Sequence, residues 1–195
     1  AALWSLSAQH YENQVAVADA GGIAPLVAVL GLGSVRAQEQ AAGALAALAL
    51  DNTKNEISIA KLIVSLLGSD DKQASAKAAR AISRLARAHP SNQKSIAHAG
   101  GVSLLVSLLS VSEGGAGDST YGNSASKEAL EAARVQKEMA SAIWSMAANN
   151  LENQMAIAKA GGILPLIALL EGNPEVHRDV AGALWALGAN EENQK

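Results

Sequence analysis

Apolar residues recur at helical spacing along the chain, and glycine pairs interrupt them at a repeating place. Leu26, Val27, Leu30, Leu45 and Leu48 lie three or four residues apart within their stretches, so each predicted helix has one stripe to bury against its neighbours. The pattern predicts helices in threes: a short one over 13–20, a second over 23–30 and a longer third over 35–50.

The interruptions are copies of one motif. Ala-Gly-Gly-Ile stands at 20–23 and 160–163, and Ala-Gly-Gly-Val at 99–102. Seven residues upstream of each copy is an Asn-Gln pair (Asn13-Gln14, Asn92-Gln93, Asn153-Gln154), and Leu30, Leu109 or Leu170 closes the apolar run that follows. Glycine suits the first turn because a backbone leaving a helix commonly needs positive φ. Pro25 and Pro165 fall in the first turn of the second helix, where a missing N–H costs little. Ser34, Ser69 and Asn173 are the expected N-caps of third helices, the last followed by Pro174 and Glu175.

These features make the chain one continuous array. A third helix of a truncated unit occupies 1–9, and units follow over 13–50, 55–88, 92–148 and 153–189, with a new one starting at 190–195. The ends are expected to expose core surface and to favour self-association by stacking.

Two units depart from the pattern. In the second, Asn55 to Lys61 aligns with Asn92 to His98, but the next residue is Leu62, the counterpart of Leu104, so five residues including the Gly-Gly are missing. The first helix is expected either to fuse with the second or to melt, with a local change of superhelical twist. In the third unit about 19 extra residues (roughly 110–128), rich in Gly and Ser, predict a flexible loop before a third helix starting near Ser126. Its Ser, Thr and Tyr could take phosphate, or the loop is passive. It lacks the Gly-Lys-Ser/Thr ending of a phosphate-binding loop.

Composition narrows the class. Apolar residues make up 49% of the chain without a single Phe, so the core is built from Ala, Leu, Ile and Val, which let helices approach closely. The absence of cysteine excludes disulfides and thiolate metal sites. With no apolar run of the roughly 20 residues that a spanning helix needs and no signal sequence, a cytoplasmic or nuclear location and no membrane insertion are expected. Net charge is −3, but residues 55–98 carry +4 while 1–54 carry −2 and 99–195 carry −5. Such a distribution bears on partner choice.

With Asn-Gln-x-x-Ile-Ala-x-Ala-Gly-Gly-Ile-x-x-Leu over 153–166 and Ala-Leu-Trp-x-Leu at 2–6 and 183–187, the chain resembles the armadillo repeat family over essentially its whole length. The resemblance implies an all-α, right-handed superhelical armadillo-repeat solenoid of three-helix units. It also implies that third helices line a concave groove that holds partner segments in extended form. Carried over by alignment, Trp4, Trp144 and Trp185 fall at the family's groove tryptophan, with Ala46 and Ser83 replacing it in the middle units. These rings either wall the groove or pack between neighbouring third helices. Four residues further on, where nuclear-import adaptors of the family carry a peptide-gripping asparagine, stand Ala8, Leu50, Arg87, Ala148 and Ala189. Basic import signals are therefore poor candidate ligands.

The middle unit instead offers a basic stripe, Lys77, Arg80, Arg84 and Arg87 with Ser83 between them, opposite Ile82 and Leu85. Lys137 and Arg178, seven residues before Trp144 and Trp185, extend it along neighbouring third helices. Guanidinium groups hold carboxylates bidentately, so the stripe is either an ordinary solvated face or a track for an acidic or phosphorylated extended segment.

Nothing points to catalysis. His10, His89, His98 and His177 lie in different units without a second ligand at metal spacing, and Asp70-Asp71 and Glu191-Glu192 sit in turns before helices, where anions are favoured. No nucleophile elbow, dinucleotide fingerprint or zinc pattern is present, and no cofactor is implied. One basic stripe in a chain of pI near 5.8 is a weak nucleic-acid footprint. The expected function is a non-catalytic protein-interaction scaffold or adaptor. The resemblance leaves open a substrate-recognition segment of a larger ubiquitin ligase, or a structural part of a filament or ciliary assembly.

Overall fold

The computed structural model describes Ser5, Ser7 and residues 10–32, 34–87, 89–111, 124–172 and 174–194, and there helices follow one another in threes with one exception. The first unit holds α1 (Tyr11–Asp19), α2 (Ile23–Leu32) and α3 (Val35–Ala49). The second holds only α4 (Thr53–Leu67) and α5 (Lys72–Ala86). The third holds α6 (Pro90–His98), α7 (Gly101–Val111) and α8 (Ser124–Ala147), and the fourth α9 (Leu151–Lys159), α10 (Ile163–Leu169) and α11 (Pro174–Gly188), followed by a 3-10 turn over Glu191–Gln194. Among the described residues no single helix is long and apolar enough to cross a membrane.

The two glycines of each motif do different work. Gly21, Gly100 and Gly161 have φ of 77°, 89° and 83°, the left-handed conformation that a side chain disfavours. Gly22, Gly101 and Gly162 are needed for closeness: a Cβ on them would lie 2.7, 2.7 and 2.9 Å from Val17, Ile96 and Ile157. At the first copy the Gly22 N–H reaches Val17 O at 2.9 Å and the Gly21 N–H reaches Ala18 O at 2.9 Å, a Schellman ending. The result is an 84° bend between α1 and α2.

Without those glycines the bend disappears. The second unit runs as one 15-residue helix, α4, so the first alternative, fusion, is the outcome. Leu62 and its neighbours carry no residue that could end a helix cheaply, and the apolar stripe Ile59, Ile63 and Leu67 continues across the missing turn.

The N-caps follow expectation in part. Ser34 caps α3, its hydroxyl accepting from the Ala37 N–H at 3.3 Å. Helix α5 is capped by Asp71 and not by Ser69: the Asp71 carboxylate accepts from the Gln73 N–H at 2.9 Å, while the Ser69 hydroxyl accepts from Asp71 N–H one step earlier, at 3.2 Å. Asn173 lies outside the described residues, as does most of the inserted segment (112–123). Helix α8 begins at Ser124, two residues ahead of Ser126, and at 24 residues exceeds the 15 of α3, α5 and α11.

One apolar cluster runs from Ile23 to Leu187 without a break between units. A second, polar device recurs beside it. In the Asn-Gln pairs the asparagine turns back: Asn92 Nδ2 donates to Leu85 O and Asn153 Nδ2 to Met146 O, both at 2.9 Å, covering carbonyls left open at the end of the preceding third helix. In two of the three pairs the glutamine reaches forward, whereas Gln154 Nε2 donates back to Ala147 O at 2.9 Å. Gln14 Nε2 donates to Ala47 O at 2.9 Å and Leu50 O at 3.1 Å at the end of α3, and Gln93 Nε2 to Ser145 O at 2.8 Å and Ala148 O at 3.1 Å at the end of α8. Each of these glutamines also accepts from the N-cap asparagine of the next unit, Asn52 or Asn150, at 3.2 and 2.9 Å. We call this arrangement the amide clamp.

Candidate partner-binding groove

The third helices α3, α5, α8 and α11 follow one another along one side of the stack, and each junction is decided by two aligned positions. The first is the place of the tryptophan (Ala46, Ser83, Trp144, Trp185). The second lies three residues earlier on the next third helix (Arg80, Ser141, Gly182). Between α8 and α11 Trp144 faces Gly182 so closely that a Cβ there would lie 2.6 Å from the indole ring carbons. Between α5 and α8 both positions are serine. The buried Ser83 hydroxyl lies 3.0 Å from Ser141 Oγ and 3.1 Å from Ser145 Oγ. Large meets absent, and small meets small, which keeps these helices in contact.

The same α5–α8 seam holds an ion pair. The Arg80 guanidinium donates through Nε to Glu138 Oε1 at 3.0 Å and through a second nitrogen to the same oxygen, with both side chains largely buried. Hydrogen bonding to Glu138 raises the Arg80 pKa above its ordinary value; burial works against this, and the charge of Glu138 adds to it. Arg80 is thus a seam residue whose charge is already matched.

Around it lies a hollow of about 530 Å3. Arg80, Arg84, Arg87, Lys137 and Arg178 line it against the three carboxylates of Glu39, Glu138 and Asp179, so positive charge is in excess. Arg178 lies 3.5 Å from the buried Asp179 carboxylate but stays open to solvent. Arg84 is half-buried, and its Nε has no hydrogen-bond partner among the described residues. Lys77 is half-buried on α5 and does not line the hollow.

The junction between α3 and α5 differs from the other two. Ala46 takes the tryptophan's place, and a cleft of about 700 Å3 opens beside it, walled by Ala42, Ala46 and Ala47 on α3, by Arg84 and Leu85 on α5, and by polar residues at the starts of α4 and α6, among them Asn52, Glu56, His89 and Asn92.

No protein-family model matches the chain, and comparison with curated proteins gives no match. Solved structures do match. A crystal structure of an engineered protein is 31% identical, covering 95% of this chain and 70% of that one with a TM-score of 0.56. A second engineered protein is 27% identical over 97% of this chain and 73% of that one, TM-score 0.58. A designed armadillo repeat protein, 23% identical, covers 98% of this chain and 75% of its own with a TM-score of 0.61. The fold is an armadillo-repeat solenoid.

Within this armadillo solenoid the tryptophans divide. Trp144 is half-buried against Gly182, whereas Trp185 is 76% exposed; Trp4 and Ala8 lie outside the described residues. Leu50, Arg87 and Ala189, at the further aligned positions, are exposed and Ala148 is half-buried. Among the histidines His10, His89 and His98 are exposed and His177 is half-buried, and among the described residues no three metal-binding side chains come together. Sequence reasoning singled out the cations of the hollow but not Glu138, Ser141 and Ser145, because their partners lie 58 to 62 residues away. It used the Asn-Gln pairs as markers without finding the clamp. A glutamine repeating at one place in successive helices is the signal that could have found it.

Proposed function

We propose that this chain is an armadillo-family, non-catalytic scaffold that holds an extended, acidic or phosphorylated protein segment in the groove formed by its third helices. The observation that carries the reading is the hollow where cations from α5, α8 and α11 outnumber carboxylates. A carboxylate or phosphate balances that excess of positive charge, and a concave surface concentrates the field. The exposed ring of Trp185 extends the same face with apolar surface for a partner's side chains.

The test is peptide-library selection on the native chain and on a variant carrying Arg84→Glu, Arg87→Glu and Lys137→Glu. Arg80 is left intact because it holds the α5–α8 seam. Acidic sequences enriched by the native chain are expected to be lost on the charge-reversed variant with its far-UV circular dichroism unchanged. Their binding should weaken steeply as salt shortens the Debye length from about 10 Å at 0.1 M to about 3 Å at 1 M. Identical selections on both proteins would remove the cationic groove as the binding site.

A further inference from the structure

The α3–α5 junction has neither the tryptophan contact that closes α8–α11 nor the glutamine clamp that closes α5–α8. By alignment Ala46 stands where α8 has Trp144, and Glu56 stands where the clamp has Gln14 and Gln93. His89 stands where it has Asn52 and Asn150, and the Gly-Gly turn is gone from α4. A carboxylate has no N–H to donate to the carbonyls at the end of α5, so the forward half of the clamp cannot form there. Glu56 and His89 both line the 700 Å3 cleft, a volume inside the roughly 300–1,000 Å3 that ligand sites occupy.

We infer that this cleft is a specificity pocket for an aromatic side chain of the bound segment, with an acidic residue beside it held by Arg84. The inference rests on the groove reading above and names its anchor. In the α8–α11 junction the position aligned with Ala46 carries an indole of the chain's own, Trp144, packed on Gly182. In the α3–α5 junction that position is Ala46, and the cleft beside it is apolar on the α3 wall through Ala42, Ala46 and Ala47. Such a wall accepts a ring, and buried aromatic anchors carry much of the energy of protein recognition. Arg84 lines both the cleft and the cationic hollow, so its charge is shared between the two. An acidic side chain beside the ring pairs with that charge. The Glu56 carboxylate gives an indole N–H or phenol O–H an acceptor inside the cleft.

Fluorescence polarisation with labelled ten-residue peptides of Asp, Glu and Ser around one central Trp or Ala tests this. The Trp peptide is expected to bind the native chain at least about tenfold more tightly than the Ala peptide. The advantage should vanish in Ala46→Trp, which closes the cleft with an indole of its own, while the Ala peptide keeps its affinity. Ala42→Leu narrows the cleft with a smaller side chain and should cut the advantage in the same direction if Ala46→Trp does not fold. A Trp advantage that is absent in the native chain, or that survives in a folded cleft-filled variant, overturns the pocket. If both peptides bind equally and both are lost with Arg87→Glu and Lys137→Glu, the groove stands without its pocket. If neither peptide binds, both readings fall.

Discussion

At the scale of single residues the array depends on side chains that work at a distance. Gln93 closes two carbonyls at the end of α8 and accepts from Asn150. Gln93→Ala should therefore lower the unfolding free energy by about 2–4 kcal/mol, read from the urea midpoint, because a buried donor and two acceptors lose their partners together. Gly182 is as sensitive for the opposite reason, having no room at all. Gly182→Leu should destabilise by about 1–3 kcal/mol or more, with the emission of Trp144 shifting as its ring is displaced. These two residues were not equally legible. The conformation of Gly21, Gly100 and Gly161 is a local property of the backbone, so the motif announced it. The partners of Gln93 lie 52 to 57 residues ahead, beyond the reach of any local pattern.

Among the elements, the seam between α5 and α8 holds a largely buried ion pair. Arg80→Met alone leaves the Glu138 carboxylate largely buried without its partner and should cost about 3 kcal/mol; Arg80→Met combined with Glu138→Leu should recover most of that loss. A double-mutant cycle by chemical denaturation measures the difference, and equal losses in the single and double variants would contradict the assignment of Arg80 to the seam. Helix ends were readable from the sequence to within about two residues, since caps and glycines act locally. The stripe of Lys77, Arg80, Arg84 and Arg87 was visible as a helical face, yet its division was not. Only the facing helix reveals that Arg80 meets Glu138 while Arg84 is left with an unpartnered Nε. For α4 the missing turn left fusion and melting open, and the continued apolar stripe of Ile59, Ile63 and Leu67 decides for fusion.

Across the whole molecule, stability should be uneven. The helices α5, α8 and α11 are joined by the Ser83 cluster, the Arg80–Glu138 pair and the Trp144–Gly182 contact, whereas α3 meets α5 across a cleft. Native-state hydrogen exchange is expected to open α1 to α3 at lower free energy than α5 to α11, with α4 as the border. Uniform protection along the chain would show that the cleft does not weaken coupling. The solenoid itself was legible from the repeat, because a stripe that recurs at one register can be buried only by stacking. The amide clamp has a last consequence, for anyone who recombines such arrays. The covalent period and the cooperative period are out of phase: Gln93 is encoded with α6 but completes the end of α8. Splicing between a third helix and the next first helix therefore strips Leu85 O of the Asn92 donor behind the joint. Exchanging at the Gly-Gly turn leaves each amide with the carbonyls behind it and asks the new neighbour only for a matching third helix.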